Sequence, residues 1–218
     1  MPSQQRYQTV YDEATADPKG FWSRAATSIV WSTPFERVID GSRAPFYTWF
    51  TGGELNTCYN AIDYHVENGR AEQLAVIYDS PVTSTKRTLT YAALRDEVAR
   101  FAGVLTTLGV TKGDRVIIYM PMTVEALVGM YACARIGAVH SVVFGGFASA
   151  ELAARIDDAR PKVVLTASCG IEVARVVAYK PLLDRAIELA SHTPQHCIVL
   201  QREQLRCVAM LFGKVAEQ

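Results

Sequence analysis

The sequence carries no excess charge of either sign and contains no long hydrophobic run. Its 22 basic residues balance 22 acidic residues in a chain of 218, so the net charge gives no reason to expect nucleic acid or an anionic membrane as a partner. No apolar run reaches the roughly 18 residues that span a bilayer. The first 18 residues lack the apolar centre of a signal peptide and contain acids that a transit peptide avoids. We therefore expect a cytoplasmic protein that binds neither membranes nor nucleic acid.

The sequence also lacks a recognisable metal, disulfide or nucleophile pattern. The number of cysteines is odd, none has C-x-x-C spacing, and Pro194 between His192 and His196 disfavours a shared helix face. No G-x-S-x-G elbow is present, and Cys169 has no histidine at an interpretable spacing. We interpret Cys169 as a thiol at the edge of the core, with a nucleophile as the alternative. We expect no metal site and five free thiols: Cys58, Cys133, Cys169, Cys197 and Cys207.

The first part of the chain is rich in tryptophan and looks irregular. Residues 1–55 contain all three tryptophans and several prolines, and D-P-K-G-F-W (17–22) resembles a turn into a short helix. This composition suits a segment that wraps over a domain and is anchored by aromatic side chains. The alternative is that the tryptophans stack on a ligand. We predict packing for Trp22, Trp31 and Trp49.

Beyond residue 55 the apolar pattern becomes regular. Apolar residues at spacings of three and four alternate with short apolar runs, as in βαβ units. The predicted helices cover about 56–68, 90–108, 124–136, 149–158 and 181–190, and the predicted strands cover about 74–78, 87–89, 115–120, 139–144, 162–167 and 197–200. The predicted fold class is α/β, with a doubly wound, mostly parallel sheet flanked by helices and preceded by the irregular segment. Ligands bind such sheets beyond the carboxyl ends of the strands, here 144–147 and 167–170.

A glycine pair, Gly145-Gly146, lies between a predicted strand and a predicted helix, as in many nucleotide-binding turns. A dinucleotide motif needs G-x-G-x-x-G, however, and no third glycine follows. A Walker loop needs Gly-Lys before Ser or Thr, whereas Gly213-Lys214 precedes Val215. The pair is therefore either a turn in which glycine permits a positive φ, or the wall of another kind of ligand site.

Several stretches together resemble one enzyme superfamily. L-T-Y-A-A-L (89–94) and L-G-V-x-x-G-D-R-V (108–116) are similar to the opening of the AMP-binding domain in adenylate-forming enzymes. P-M-T-V-E-A-L (121–127) and A-C-A-R-I-G-A-V-H-S-V-V-F-G-G-F (132–147) look like the short-chain acyl-CoA synthetase branch. Residues 7–60 resemble the amino-terminal segment of acetyl- and propionyl-CoA synthetases. The resemblance covers nearly the whole chain.

Within that branch, the details are closer to propionyl-CoA synthetases. Ala-Ser-Ala-Glu (148–151) replaces the Ser-Pro-Glu that usually follows the glycine pair in the acetyl type, and residues 166–175 and 179–184 are similar to the propionyl pattern. The resemblance implies a propionyl-CoA synthetase, with an acetyl-CoA synthetase as the alternative. It also implies two domains, an amino-terminal segment over 1–60 and the first part of the AMP-binding domain over 61–218.

The resemblance gives the glycine pair a function. In this family the glycine-rich turn borders the tunnel that admits the pantetheine arm of coenzyme A. A thin, uncharged arm needs close approach to the backbone and apolar walls. Arg175 matches one of two arginines near the nucleotide end of the coenzyme, and the other position is Glu172, a reversal of charge; a surface charge is the alternative for Arg175. The implied coenzyme A site comprises Phe144, Gly145, Gly146, Phe147, Glu172 and Arg175.

The resemblance also implies a two-step reaction. A short-chain carboxylate attacks ATP, held with Mg²⁺, to give an acyl-adenylate and pyrophosphate, and the thiol of coenzyme A then displaces AMP. The family's phosphate-binding loop and its later adenine, ribose and catalytic-lysine motifs are absent from the sequence. We therefore expect an amino-terminal fragment that is inactive alone, and we assign no catalytic residue in it. Its implied partners are the carboxylate, ATP, coenzyme A and the missing carboxy-terminal remainder.

Two interpretations of another class stay open. The chain is a candidate for a non-catalytic module that binds coenzyme A or a protein partner, because a truncated α/β domain exposes a strand edge and an apolar patch. Residues 204–214 are apolar at helical spacing and are predicted to cover part of that edge. The second interpretation is an unrelated doubly wound domain that binds another nucleotide, which the missing phosphate motifs disfavour.

Overall fold

The computed structural model describes residues 2–146, 148–172 and 175–207. The chain divides into two compact units, Met1–Asn56 and Thr57–Gln218. Among the described residues, no helix combines the length and the apolar character needed to cross a membrane. Cytoplasmic localisation and the expected lack of nucleic-acid partners stay predictions.

The first unit is more regular than the sequence suggests. It contains helices α1 (Pro2–Ala16) and α2 (Pro18–Ala25) and an antiparallel pair of strands, β1 (Arg37–Asp40) and β2 (Thr48–Thr51). The expectation of an irregular segment is therefore wrong for these residues. Helix α1 is not predicted from the sequence, because its side chains from residue 6 onward are mostly exposed and it therefore shows little apolar periodicity. Helix α2 begins as predicted, since the Asp17 carboxylate accepts a hydrogen bond from the Gly20 N–H at 3.0 Å.

The tryptophans of the first unit pack against other aromatic rings. The ring centroid of Trp31 lies 5.1 Å from that of Phe35 and 5.4 Å from that of Phe50. The Trp31 indole N–H donates to the Ala26 carbonyl at 3.0 Å. Trp22 and Trp49 meet edge to face at 5.8 Å, although each is nearly half exposed. The tryptophans therefore pack, as predicted, although their partners are aromatic rings of the same unit rather than of a neighbouring domain.

The second unit contains the predicted helices and strands, with boundaries that differ by a few residues. Two π-helical turns, Tyr59–Asp63 and Val66–Arg70, occupy the first predicted helix. The remaining helices are α3 (Tyr91–Thr107), α4 (Val124–Arg135), α5 (Ser149–Ala159) and α6 (Tyr179–Leu189). The strands are β3 (Leu74–Ser80), β4 (Thr85–Thr90), β5 (Arg115–Met120), β6 (Val139–Phe144), β7 (Val163–Ala167), β8 (Cys169–Glu172), β9 (Arg175–Ala178) and β10 (His196–Leu200).

Side-chain caps and glycines set the bounds of the two helices on one face of the sheet. The Ala93 N–H donates to Thr90 Oγ1 at 3.2 Å at the start of α3, and the Ala126 N–H donates to Thr123 Oγ1 at 3.4 Å at the start of α4. Beyond the carboxyl end of each helix, a glycine adopts a positive φ, 80° at Gly109 and 72° at Gly137.

The central sheet is parallel and doubly wound, as the sequence predicts. Its strand order is β10-β7-β5-β6, and all three pairings are parallel. Alternate residues of β5 face opposite layers: Val116 and Ile118 pack in the core that contains α3 and α4, whereas Ile117 and Tyr119 pack in the core that contains α5 and α6. Because all four strands run in the same direction, their carboxyl ends lie along one edge of the sheet.

Two hairpins lie outside this sheet. Strands β3 and β4 pair antiparallel, and Leu89 and Val76 join the core on the α3 side. Strands β8 and β9 also pair antiparallel, from Cys169 opposite Ala178 to Glu172 opposite Arg175. The sequence does not predict the second hairpin because four-residue strands of mixed polarity show no clear alternation. This hairpin directly follows the carboxyl end of β7.

Candidate functional site

The carboxyl edge of the sheet borders a cavity of about 860 Å³. We call it the carboxyl-end cavity. The ends of β5 and β6, the turn between β3 and β4, strand β8 and the start of α6 contribute to its lining. The lining residues used below are Ile77, Asp79, Met120, Met122, Phe144, Gly145, Gly146, Glu172, Tyr179 and Arg202. A cavity at this edge is where a parallel α/β sheet binds its ligands.

The structure brings together four of the six residues predicted for the coenzyme A site. Phe144, Gly145, Gly146 and Glu172 all line the carboxyl-end cavity. Arg175 does not line it. Phe147 lies outside the described residues, and so does most of the apolar tail at 204–214, of which the structure describes only residues up to 207. Whether the four lining residues bind coenzyme A stays a prediction.

One wall of the cavity is apolar and exposed. Phe144 is 72% exposed, Met122 is 85% exposed and Ile77 is 72% exposed. Large apolar side chains gain free energy when a ligand or a protein surface covers them. The exposed wall therefore suits an uncharged, slender ligand segment or an apolar partner surface.

Glycine is needed at positions 145 and 146 because neighbouring side chains occupy the place of a Cβ, not because the backbone adopts a positive φ. Neither Gly145 nor Gly146 is among the described residues with a positive φ, so the expectation of a positive-φ turn is wrong. A Cβ at Gly145 would overlap the Tyr179 hydroxyl and lie 2.6 Å from Tyr179 Cε2. A Cβ at Gly146 would lie 2.8 Å from Phe144 Cε1 and 3.4 Å from Glu172 Oε1. The group that approaches the backbone is the Tyr179 side chain at Gly145 and the Phe144 ring at Gly146. Approach of a coenzyme arm stays a prediction.

Tyr179 is a residue of the site that sequence reasoning misses. It is only 4% exposed, and its ring stacks on that of Tyr119 with centroids 5.1 Å apart. Gly170 contacts the other edge of the ring, since a Cβ there would lie 2.6 Å from Tyr179 Cε1. Burial and the neighbouring Glu172 carboxylate raise the pKa of Tyr179, while Arg202 opposes them. The sequence signal that points to it is a glycine after β6, a glycine in β8 and an aromatic residue at the start of α6.

Arg202 is the second residue that sequence reasoning misses. Its backbone N–H donates to Ser168 Oγ at 2.9 Å, and its Nη1 donates to the Cys169 carbonyl at 3.1 Å. Among the described residues that line the cavity, it is the one cation, beside the carboxylates Asp79 and Glu172. The Ser168 hydroxyl thus accepts a hydrogen bond from the backbone at Arg202. The Cys169 side chain is fully buried, in agreement with a thiol in the core rather than an accessible nucleophile.

The two charged residues predicted for the coenzyme's nucleotide end pair with each other. Arg175 Nη2 lies 2.9 Å from Glu172 Oε2, and the side chains are 76% and 40% exposed. An exposed ion pair of this kind contributes little to stability. The pair does place the Glu172 carboxylate beside Arg175, which is the cation that a phosphate of the coenzyme would need. In this structure Arg175 is an exposed charge outside the cavity.

The thiols form no reactive or metal-binding group within the described part of the chain. All five cysteines are free. Burial raises the pKa of Cys58 to about 11 and that of Cys133 to about 12, so both are thiols at neutral pH. Among residues 2–146, 148–172 and 175–207, no three His, Cys, Asp or Glu side chains come together as metal ligands.

The fold and the cavity define the class first: a doubly wound α/β domain with a cavity at the carboxyl edge of the sheet, where such folds bind their ligands. A family model described as "AMP-binding enzyme" matches residues 64–216, and a model described as "acetyl-coenzyme A synthetase N-terminus" matches residues 7–61. The chain therefore belongs to the AMP-binding enzyme family, as its sequence predicts.

Three relatives refine this assignment. An uncharacterised protein of Pseudomonas aeruginosa is 55% identical over 91% of this chain and 32% of its own length. Acyl-CoA synthetase short-chain family member 3, mitochondrial, of Mus musculus is 49% identical over 95% of this chain and 30% of its own length. Propionate–CoA ligase of Salmonella typhimurium is 47% identical over 88% of this chain and 30% of its own length. The chain thus spans about a third of the length of the relatives that it matches.

Proposed function

We propose that this chain is the amino-terminal part of an AMP-forming propionyl-CoA synthetase. The complete enzyme converts propionate, ATP and coenzyme A to propionyl-CoA, AMP and pyrophosphate through propionyl-adenylate. Support comes from a relative that is named propionate–CoA ligase and is 47% identical over 88% of this chain. An acetyl-CoA synthetase is the alternative within the family.

The observation that carries the proposal for these residues is the carboxyl-end cavity. Its exposed wall, which includes Phe144, suits the thin and uncharged pantetheine arm of coenzyme A. At Gly146 the missing side chain leaves room for the Phe144 ring. The chain's part in the reaction is therefore to guide the coenzyme's thiol towards the adenylate, which is catalysis by positioning.

We assign the remaining steps of the reaction to parts of the synthetase that are not present in this chain. The proposal divides the chain into an amino-terminal segment over 1–60 and the first part of the AMP-binding domain over 61–218. ATP, its Mg²⁺ and the carboxylate bind to the remainder of the synthetase, because no phosphate-binding loop occurs among these 218 residues.

Exchange of labelled pyrophosphate into ATP tests the proposal. We expect no propionate-dependent exchange by the 218-residue chain. We expect exchange by the protein purified from its native locus, with a higher kcat/KM for propionate than for acetate. Exchange by the 218-residue chain would contradict the proposal that it is an incomplete enzyme. A higher kcat/KM for acetate than for propionate would favour an acetyl-CoA synthetase.

A second candidate function is a non-catalytic module that binds a protein partner. Strand β6 is an edge strand among the described residues, and its side chains Val139, Val142 and Phe144 are about half to three quarters exposed. Such an edge favours association. A monomeric, stable 218-residue chain as the native product, with no longer protein from the same locus, would support this candidate over the synthetase.

A further inference from the structure

The Tyr179 hydroxyl lines the carboxyl-end cavity and has no hydrogen-bond partner among the described residues. The side chain as a whole is only 4% exposed, but the hydroxyl oxygen is not one of the buried polar atoms without a partner. A tyrosine of this kind has a buried ring and an accessible polar tip. Its hydroxyl is therefore available to hydrogen-bond a ligand in the cavity.

The phenol is held in one orientation. Gly145 and Gly170 lie against opposite edges of the ring, and Tyr119 stacks on one of its faces with an interplanar angle of 29°. A side chain added at either glycine would occupy the space of the phenol. The two glycines and the stacked tyrosine therefore fix the hydroxyl at the wall of the cavity before any ligand binds, which lowers the entropic cost of binding.

The charges around the hydroxyl favour a neutral polar ligand group over an anion. Two carboxylates, Asp79 and Glu172, line the cavity with one cation, Arg202, among the described residues. Arg202 already donates to the Cys169 carbonyl. The pKa of Tyr179 is raised, first by burial and then by Glu172, so the phenol is uncharged at neutral pH and both donates and accepts. Amide groups match this capacity, since each has one acceptor and one donor.

We propose that the Tyr179 hydroxyl hydrogen-bonds an amide of the pantetheine arm of coenzyme A in the carboxyl-end cavity. The inference rests on the proposed function, because it assumes that this cavity admits the coenzyme. It assigns Tyr179 as a binding residue that positions the arm, whereas the exposed Phe144 supplies apolar contact. Gly145 then serves the ligand indirectly, by leaving room for the phenol.

Binding measurements with Tyr179→Phe test this assignment. The substitution removes only the hydroxyl and keeps the ring between the glycines. We expect coenzyme A to bind the 218-residue chain about 3- to 10-fold more weakly, the effect of one lost neutral hydrogen bond. Adenosine bisphosphate, which is the nucleotide end of the coenzyme without its arm, is expected to bind the variant and the wild type equally. The melting temperature is expected to stay the same or rise, because the hydroxyl has no partner among the described residues of the fold.

Tyr131→Phe is the matched control. Tyr131 lies on α4, is half-buried and is not among the residues that line the cavity. The Tyr131→Phe substitution is expected to leave the affinities for coenzyme A and for adenosine bisphosphate unchanged. A tyrosine ultraviolet difference spectrum on adding coenzyme A is expected in the wild type and in Tyr131→Phe but not in Tyr179→Phe.

The outcomes separate the two proposals. Equal coenzyme A affinity for the wild type and Tyr179→Phe would overturn the role of Tyr179 while leaving the coenzyme site in place. An equal loss of affinity for coenzyme A and for adenosine bisphosphate would assign Tyr179 a structural role instead. A wild-type chain that shows no saturable binding of coenzyme A would overturn the coenzyme site itself, and the inference with it.

Discussion

The two ends of the central sheet are built in opposite ways. At the amino end, the Asp114 carboxylate accepts hydrogen bonds from Lys162 Nζ and from the Thr111 N–H, each at 2.8 Å. The Asp157 carboxylate accepts from two backbone N–H groups, those of Ser191 and His192, at 2.7 and 2.8 Å. Carboxylates, cations and loop backbone thus satisfy one another within the protein.

At the carboxyl end, several side chains face a cavity. Phe144 and Met122 are mostly exposed, and the Tyr179 hydroxyl has no hydrogen-bond partner among the described residues. The comparison indicates a division of labour within one sheet. The amino end contributes stability, and the carboxyl end keeps exposed groups that are available to a ligand.

The largest expected effect is that of filling the space beside Tyr179. In Gly145→Ala the new Cβ overlaps the phenol, so the ring or the end of β6 must move. We expect the free energy of unfolding to fall by about 3 kcal/mol, at the upper end of overpacking costs. Urea denaturation measures this change.

Gly103→Ala is the control for that substitution. Gly103 lies inside α3 and is exposed, and a Cβ added there would meet no other described atom within 4 Å. Alanine at this position is expected to raise the stability by about 0.5–1 kcal/mol, through helix propensity. Equal stability changes in the two variants would show that Tyr179 does not restrict the glycine turn.

A smaller effect is expected at the amino end, and it depends on pH. The hydrogen bond from Lys162 and those from Thr111 lower the pKa of Asp114 to about 2. The carboxylate therefore adds stability above its unfolded pKa of about 3.9, and this contribution is lost as the pH falls towards 2. Because Asp114 is about a quarter exposed, we expect Asp114→Asn to lower the free energy of unfolding at pH 7 by only about 1 kcal/mol.

The pH dependence of unfolding checks this prediction. Between about pH 4 and pH 2 the difference between the wild type and Asp114→Asn is expected to shrink. Asp79→Asn is the control, since Asp79 forms a more exposed pair with Lys86; it is expected to change the stability by less than about 0.5 kcal/mol. A constant difference across that pH range would remove the electrostatic explanation.

The smallest effect is expected from the exposed ion pair near the cavity. Glu172→Gln removes the carboxylate from Arg175, 2.9 Å away, and changes the stability by less than about 0.5 kcal/mol. With the cation released and one negative charge fewer at the cavity, we expect coenzyme A to bind about twofold more tightly. Titration calorimetry at low salt measures the affinity.

Glu188→Gln is the matched variant for this measurement. It breaks another exposed pair with the same sequence spacing, in which Arg185 Nη1 lies 2.8 Å from Glu188 Oε2. The affinity for coenzyme A is expected to stay unchanged. A similar gain in both variants would indicate a general effect of net charge rather than the release of Arg175.

The architecture of the second unit was predictable because strong local patterns agree with the fold. Buried strand β5 is a nearly continuous apolar run, and the spacing of threes and fours along α3 matches its buried face. Helix α1 and the β8–β9 hairpin were not predictable, since their residues show little periodicity and the hairpin depends on pairing across its two short strands. Four of the six predicted site residues meet at one cavity because they lie at the ends of one strand and of the hairpin.

The sequence by itself determined the fold class of the second unit, the family and the strand ends that border the cavity, because apolar periodicity and motif residues are local properties. The tertiary structure alone decided which groups share the cavity. Tyr179 lies 34 positions beyond Gly145 in the sequence, yet its phenol occupies the space that the glycine leaves. Arg202 reaches the same cavity from the end of β10. Such contacts arise when parallel strands bring their carboxyl ends to one edge, and no pattern within a single segment encodes them.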